Sequence, residues 1–310
     1  MNDFFSTTIL IATVASGIRL ATPFLLASLG EALGQRSGVL NLGVDGVMLM
    51  GAFVAYFVVL KTGNPLIGAA AGILLGMVFG LVYAFITVNL HAEQGVSGIG
   101  IYLFGLGMSD LLFQKLVGTP LPIMPFPEIH IPLLADIPII GPMLFTHSLI
   151  VYVAFLLVPA FTLLLNSTTY GMNIRAVGEN PAAVDSLGVS VTKVRYSAII
   201  IGNGLAGLAG AALAIELGIF QHNLTNSMGF IAIALVYFGA WRPFGVMAGS
   251  LIFGMVAAIV LQGKTLGIIP RSASDLAAMA PAVITIFALV LVANRFKQPA
   301  ALSKPYERGR

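Results

Sequence analysis

The chain has 310 residues, 58% of them apolar and only 9% charged, with a formal net charge of +3. A water-soluble domain of this length carries about 25% charged residues, so a protein bathed in water on all sides is excluded. The absence of cysteine excludes disulfides, thiolate metal sites and cysteine nucleophiles.

The charges fall in short clusters separated by apolar runs of about 18 to 25 residues, long enough for a helix to cross about 30 Å of hydrocarbon. The first candidate span, Ile9 to Leu29, lacks the basic flank and cleavage site of a secretory signal and is read as permanent. Arg19 lies well inside it and is expected to snorkel or to pair with a carboxylate. The second span, Val39 to Leu60, carries Asn41 and Asp45 four residues apart, which predicts that they share one helical face near its end. In the third, Leu66 to Leu90, glycine recurs at Gly68, Gly72, Gly76 and Gly80. That stripe is read as a close-packing face, with a gliding surface for alternating access as the alternative. A fourth span covers Val96 to Leu116.

Residues 118–147 hold seven prolines among apolar residues, which forbids a continuous helix and predicts an extended, ordered or interfacial loop. A fifth span, Ser148 to Leu165, leads into the longest polar connection, residues 166–195. The sixth, Tyr196 to Leu217, places Asn203 between Gly202 and Gly204. The seventh, Leu224 to Trp241, has the shortest apolar run; Phe244 to Leu261 and Leu276 to Ala293 complete nine, ahead of a basic tail at 294–310. The tail is read as solvated beside anionic lipid. The fold class is therefore an all-α membrane protein, a polytopic transmembrane helical bundle of about nine spans in one domain, 1–310.

Threaded alternately, the spans put the tail with Arg36, Arg175, Lys193, Arg195 and Arg242 on one side, and Lys61, Lys115, Lys264 and Arg271 on the other. By the positive-inside rule the first side is cytoplasmic, leaving the N-terminus external. Polar groups at membrane depth are costly and informative. Asn41, Asp45 and Asn203 are candidates for a solute path or for inter-helix clamps; Asp110 and Glu216 lie nearer the external surface. Phe53, Phe104, Phe220 and Phe230 are aromatics able to stack on a base, although core or lipid-facing roles are the commoner use of such residues. The four histidines are scattered without metal-ligand spacing, and no phosphate-binding Gly-x-x-x-x-Gly-Lys-Ser/Thr loop is present. No metal site and no ATP hydrolysis by this chain are expected.

The polar connection has its own punctuation: Asn180 fits an N-cap, Pro181 the first helical position and Gly188 a C-terminal stop. Its sequence, Tyr170-Gly-Met-Asn-Ile-Arg-Ala-Val-Gly-Glu-Asn-Pro-Ala-Ala-Val-Asp-Ser-Leu-Gly-Val, resembles the cytoplasmic coupling segment of ABC importer permeases. Gly38-Val-Leu-Asn-Leu-Gly-Val-Asp-Gly-Val-Met-Leu-Met-Gly-Ala resembles the second-span signature of the branch for simple sugars, nucleosides and branched-chain amino acids, with Asp45 where that signature commonly has glutamate. Gly229-Phe-Ile-Ala-Ile-Ala, followed by Trp241-Arg-Pro-Phe-Gly, resembles a third landmark.

The resemblance implies a permease subunit of the inner or plasma membrane. It would pair with a second permease, identical or homologous, two cytoplasmic ABC ATPase subunits that bind ATP and magnesium, and an extracytoplasmic solute-binding protein. It implies ATPase coupling through Arg175, Gly178, Glu179, Asn180, Pro181, Ala182, Ala183 and Gly188. Nucleosides are the expected solutes, with ribose-like sugars or branched-chain amino acids as the alternative, and no nucleic acid is expected as a partner. An ion-coupled secondary transporter would place carboxylates at mid-span, whereas here they cluster toward span ends. An integral-membrane enzyme would need clustered catalytic polar groups, which the sequence lacks.

Overall fold

The computed structural model describes residues 7–292 and 297–307. In chain order the elements are α1 (Thr7–Arg36), α2 (Val44–Thr62), α3 (Pro65–Ala84, continued by a π-helical turn at Phe85–Asn89), α4 (Gln94–Leu116), β1 (Glu128–His130), α5 (Ile140–Leu144), β2 (Thr146–Ser148), α6 (Leu149–Ser167), α7 (Thr169–Glu179), α8 (Pro181–Ser186), α9 (Val191–Leu217), α10 (Met228–Phe238), α11 (Pro243–Thr265), α12 (Ser274–Ala278) and α13 (Ala280–Val292). Among the described residues seven helices are long and apolar enough to cross a membrane: α1, α2, α3 with its π turn, α4, α6, α9 and α11.

Local chemistry sets several of the boundaries. Asn64 Oδ1 accepts from the Leu66 N–H at 2.9 Å, and Pro65 occupies the first position of α3. The Glu93 carboxylate caps α4 by accepting from the Val96 and Gly95 N–H groups, which hold its pKa below the ordinary carboxylate value. α9 is the hub, buried along most of its length, with α1, α2 and α3 packed around it. The glycines of α3 permit this close approach: Gly72 meets Gly207 and Ala211, Gly76 meets Asn203 and Gly207, and Gly80 meets Ile200. α4, by contrast, leaves most of its surface uncovered.

Three expected spans differ in detail. The second helix begins at Val44, so Asn41 and Asp45 do not share a helical face. Residues 37–43 are non-helical because Gly38 takes φ +89° and the Asn41 side chain accepts from the Gly43 N–H at 2.8 Å, offering the backbone an alternative to the helix. The seventh run is helical only over α10, 11 residues or about 16 Å, roughly half the hydrocarbon thickness. Asn223, Asn226 and Ser227 ahead of it adopt positive φ of 51°, 42° and 67°. The chain still passes from end to end of the bundle: the Gly218 carbonyl accepts from Ile123 N–H beyond α9, and the Trp241 carbonyl accepts from Arg36 Nε at the end of α1. Phe220 anchors the irregular part, its ring 5.6 Å from Phe53 and 5.2 Å from Phe113. The ninth run divides into α12 and α13 around Met279, and Ala293 lies outside the described residues.

The proline-rich segment 118–147 folds into a short antiparallel ladder, Glu128 opposite Ser148 and His130 opposite Thr146, with the five-residue α5 between the strands. The described part of the tail, 297–307, is solvated only in part: Lys297 and Lys304 are exposed, while its middle packs onto the bundle. Ala301 and Leu302 are buried, the Ala301 N–H donates to the Gly178 carbonyl at 2.8 Å, and the Ser303 N–H donates to the Gly38 carbonyl at 3.2 Å. The reason is Arg195: it is buried, and it reaches acceptors through Nε to the Ser37 carbonyl and Nη1 to the Lys304 carbonyl. Tail residues 294–296 and 308–310 lie outside the described residues.

Candidate functional site

Arg36, Gly178, Arg195 and the tail gather at one end of the bundle, which the sequence assigns to the coupling segment. Thr168 caps α7 through the Gly171 N–H at 3.0 Å. Ile174 and Val177 of α7 are buried in an apolar cluster with Leu33, Leu165, Val194 and Ala198, so α7 rides on α1, α6 and α9. Gly178 lies against the backbone of Arg36 so closely that a Cβ would collide with the Arg36 carbonyl oxygen. Asn180 is the N-cap of α8, accepting from the Ala183 N–H at 3.1 Å; Pro181 is its first residue, and Gly188 follows the helix at φ +81°. Val184 alone of α8 is buried, while Glu179, Ala182, Ala183, Ser186 and Leu187 are exposed, Leu187 to 83%. Arg175 is half-buried and faces a cleft beside α6 and α11.

Above this end sits a buried polar core. Glu31 Oε1 accepts from Gln35 Nε2 at 2.9 Å and from the Asn41 N–H at 3.0 Å. Gln35 Oε1 accepts from the Trp241 indole N–H at 2.7 Å. Asn41 Nδ2 donates to Asn203 Oδ1 at 2.9 Å, and Gln94 Oε1 accepts from the Leu40 N–H at 2.9 Å. The Tyr83 hydroxyl adds bonds to the Leu40 and Gln94 carbonyls. This network supplies partners to a stretch of backbone, 37–43, that no helix satisfies, and in hydrocarbon such groups cannot be left bare. Asn41 and Asn203 are thus brought together and bonded to each other. Glu31, Gln35 and Gln94 were not singled out from the sequence; the i, i+4 spacing of Glu31 and Gln35 in an otherwise apolar helix is the signal that points to them.

Asp45 stands apart from that network, accepting at Oδ1 from the Gly229 N–H at 2.8 Å. Phe230 packs edge-on against Tyr102, ring centroids 5.2 Å apart. At the opposite end, Arg19 and Glu216 line a cavity of about 920 Å³ with His147, Ser148 and Glu128, and burial lowers the pKa of His147. Asp110 pairs there with His222 at 3.0 Å.

The landmark stretches are thus tied into the bundle by pairwise contacts: Gly178 of the first against Arg36, Asp45 of the second against Gly229 of the third, and Gln35 against Trp241. The profile of the family described as branched-chain amino acid transport system / permease component matches residues 13–293. The chain belongs to that family. As a member it is a multi-pass transport component. It is 33% identical to the guanosine ABC transporter permease protein NupQ of Bacillus subtilis, over 97% of this chain and 98% of that one. It is 32% identical to the nucleoside ABC transporter permease protein NupC of Lactococcus lactis, over 93% and 94%. A protein of Haloferax volcanii that bears a glucose ABC transporter permease name, TsgC13, is 38% identical over 81% of this chain and 77% of its own. No solved structure matches the chain.

Proposed function

We propose that this chain is the permease subunit of an ABC importer for nucleosides, driven through α7 and α8 by a cytoplasmic ATPase that binds ATP and magnesium. The observation that carries the coupling role is the build of the segment. α7 is locked to α1, α6 and α9 by its buried face and by Gly178, while α8 presents small and apolar residues outward with Glu179 beside them. Small side chains let a partner's groove approach the backbone, and an exposed leucine is stabilised by entering it. Motion imposed on α8 is then passed through Gly178 to the end of α1 and the polar core.

The end of the bundle bearing α8 is assigned to the cytoplasm, with the N-terminus outside, because Arg36, Arg175, Arg195 and Arg242 collect there. The lightly covered α4 and the rest of the uncovered surface face lipid and a second permease, and the opposite end receives a solute-binding protein. Nucleosides are favoured by the near full-length similarity to NupQ and NupC. The second reading, a simple-sugar permease, is favoured by the similarity to TsgC13. Proteoliposomes containing this chain, its partner permease and the ATPase should take up nucleoside only with ATP inside the reach of the ATPase. Uptake that survives removal of the ATPase would overturn the coupling role, and a cognate receptor that binds sugars but no nucleoside would decide for the second reading.

A further inference from the structure

The landmark Trp241-Arg-Pro-Phe-Gly does more than meet the polar core. Its outer side forms one wall of a cleft of about 920 Å³, closed on the other sides by the ends of α1 and α6 and by α7. Arg36, Arg175 and Arg242 line that cleft with Asn166. Arg36 is within electrostatic reach of both Arg175 and Arg242, with Glu179 acting in the opposite sense. Arg175 Nε is buried and has no hydrogen-bond partner among the described residues. The first turn of α11 faces the same space through Pro243, Phe244 and Gly245, and no side chain caps this 23-residue helix. Its N-terminus presents free N–H groups and about half a positive charge. Three guanidinium groups and the N-terminus of α11 thus surround one cavity, with the Glu179 carboxylate acting against them at Arg36. Phe244, which lines the cleft, is 52% exposed.

We propose that this cleft binds a phosphate group, carried by the headgroup of an anionic phospholipid or free in solution. Guanidinium forks match phosphate oxygens in pairs, and a helix N-terminus favours the same anion. Basic pockets between membrane helices suit lipid phosphates, and the exposed Phe244 suits an acyl chain. Occupation neutralises repulsion between Arg36, Arg175 and Arg242 and ties α7 to α11.

The test uses the full chain in detergent, with native mass spectrometry of retained phosphatidylglycerol against phosphatidylcholine, and with inorganic phosphate titrated onto delipidated protein. Phosphatidylglycerol should be retained preferentially, and Arg175→Gln and Arg242→Gln should each weaken retention about tenfold, the loss expected for one hydrogen bond to a charged group. Arg271→Gln, beyond the far end of α11, should change nothing. Retention of phosphatidylglycerol that inorganic phosphate cannot displace supports the lipid source. Phosphate binding to delipidated protein, weakened by the same variants, supports the free anion. If the arginine variants do not fold, Asn166→Asp adds a carboxylate to the cleft and should weaken binding in the same way. Equal retention of the two lipids with no phosphate binding, or binding indifferent to Arg175, Arg242 and Asn166, overturns the proposal.

Discussion

Asp45 Oδ1 accepts from the backbone N–H of Gly229 at 2.8 Å, across 184 positions of sequence. The bond fixes the start of α10 on the first turn of α2. A helix of 11 residues is too short to be held by lipid alone, and a carboxylate at its N-terminus both satisfies a free N–H and complements the dipole.

Asp45→Asn keeps an acceptor for Gly229, whereas Asp45→Ala leaves that buried N–H bare, at a cost of about 1–3 kcal/mol. In detergent the alanine variant should melt well below the asparagine variant. Equal melting temperatures would remove the bond from any account of stability.

Gly229→Ala should be worse than either change. The added Cβ would lie 2.5 Å from Asp45 Cα, against backbone that has no rotamer to yield. Overpacking of this kind costs about 1–3 kcal/mol or more. A monodisperse, wild-type elution profile and unchanged melting would count against the close approach.

On the coupling surface, Glu179→Lys and Leu187→Glu should lower transport and ATPase stimulation together while the protein inserts and assembles. Leu187 is the cleaner probe, since its side chain is 83% exposed and supports nothing inside the bundle. Normal ATPase stimulation in the Leu187 variant would refute the docking role of α8.

Because the chain has no cysteine, Ser186→Cys is a unique label at an exposed position. An impermeant thiol reagent should modify it in inverted vesicles and not on intact cells. The opposite pattern would reverse the assigned orientation.

Removing the tail beyond Lys297 should destabilise the bundle by stranding Arg195, whose Nη1 bonds the Lys304 carbonyl at 3.2 Å. A buried charge that loses a partner is costly, and replacing it by an apolar residue of similar size relieves the cost. Arg195→Met should therefore restore part of the melting temperature lost on truncation while doing nothing useful in the full chain. No interaction between the two changes would dissociate the tail from Arg195.

Long helices such as α3 and α9 are legible in the sequence because apolar runs of membrane length admit one conformation in lipid. The caps of α8 are legible because Asn180 and Pro181 act on their own neighbours. The breaks are less so: Asn41 and the Asn223–Ser227 stretch interrupt apolar runs, and whether such polar residues cap a helix end or stay inside a helix depends on distant partners. Glu31, Gln35 and Trp241 form a chain of bonds across 206 positions that no local pattern encodes. Asn41 and Asn203 stand out by composition alone, but their mutual bond is visible only in three dimensions.

The seating of the tail also has a consequence for biogenesis. Arg195 is synthesised 109 residues before Lys304, so at about 5–20 residues per second it waits on the order of ten seconds for that acceptor. Until the ribosome has released the C-terminal residues, the nascent protein carries an unfinished seam between α1, α7 and α9. A product cut short there is chemically marked as incomplete, by a cation already inside with part of its cradle missing.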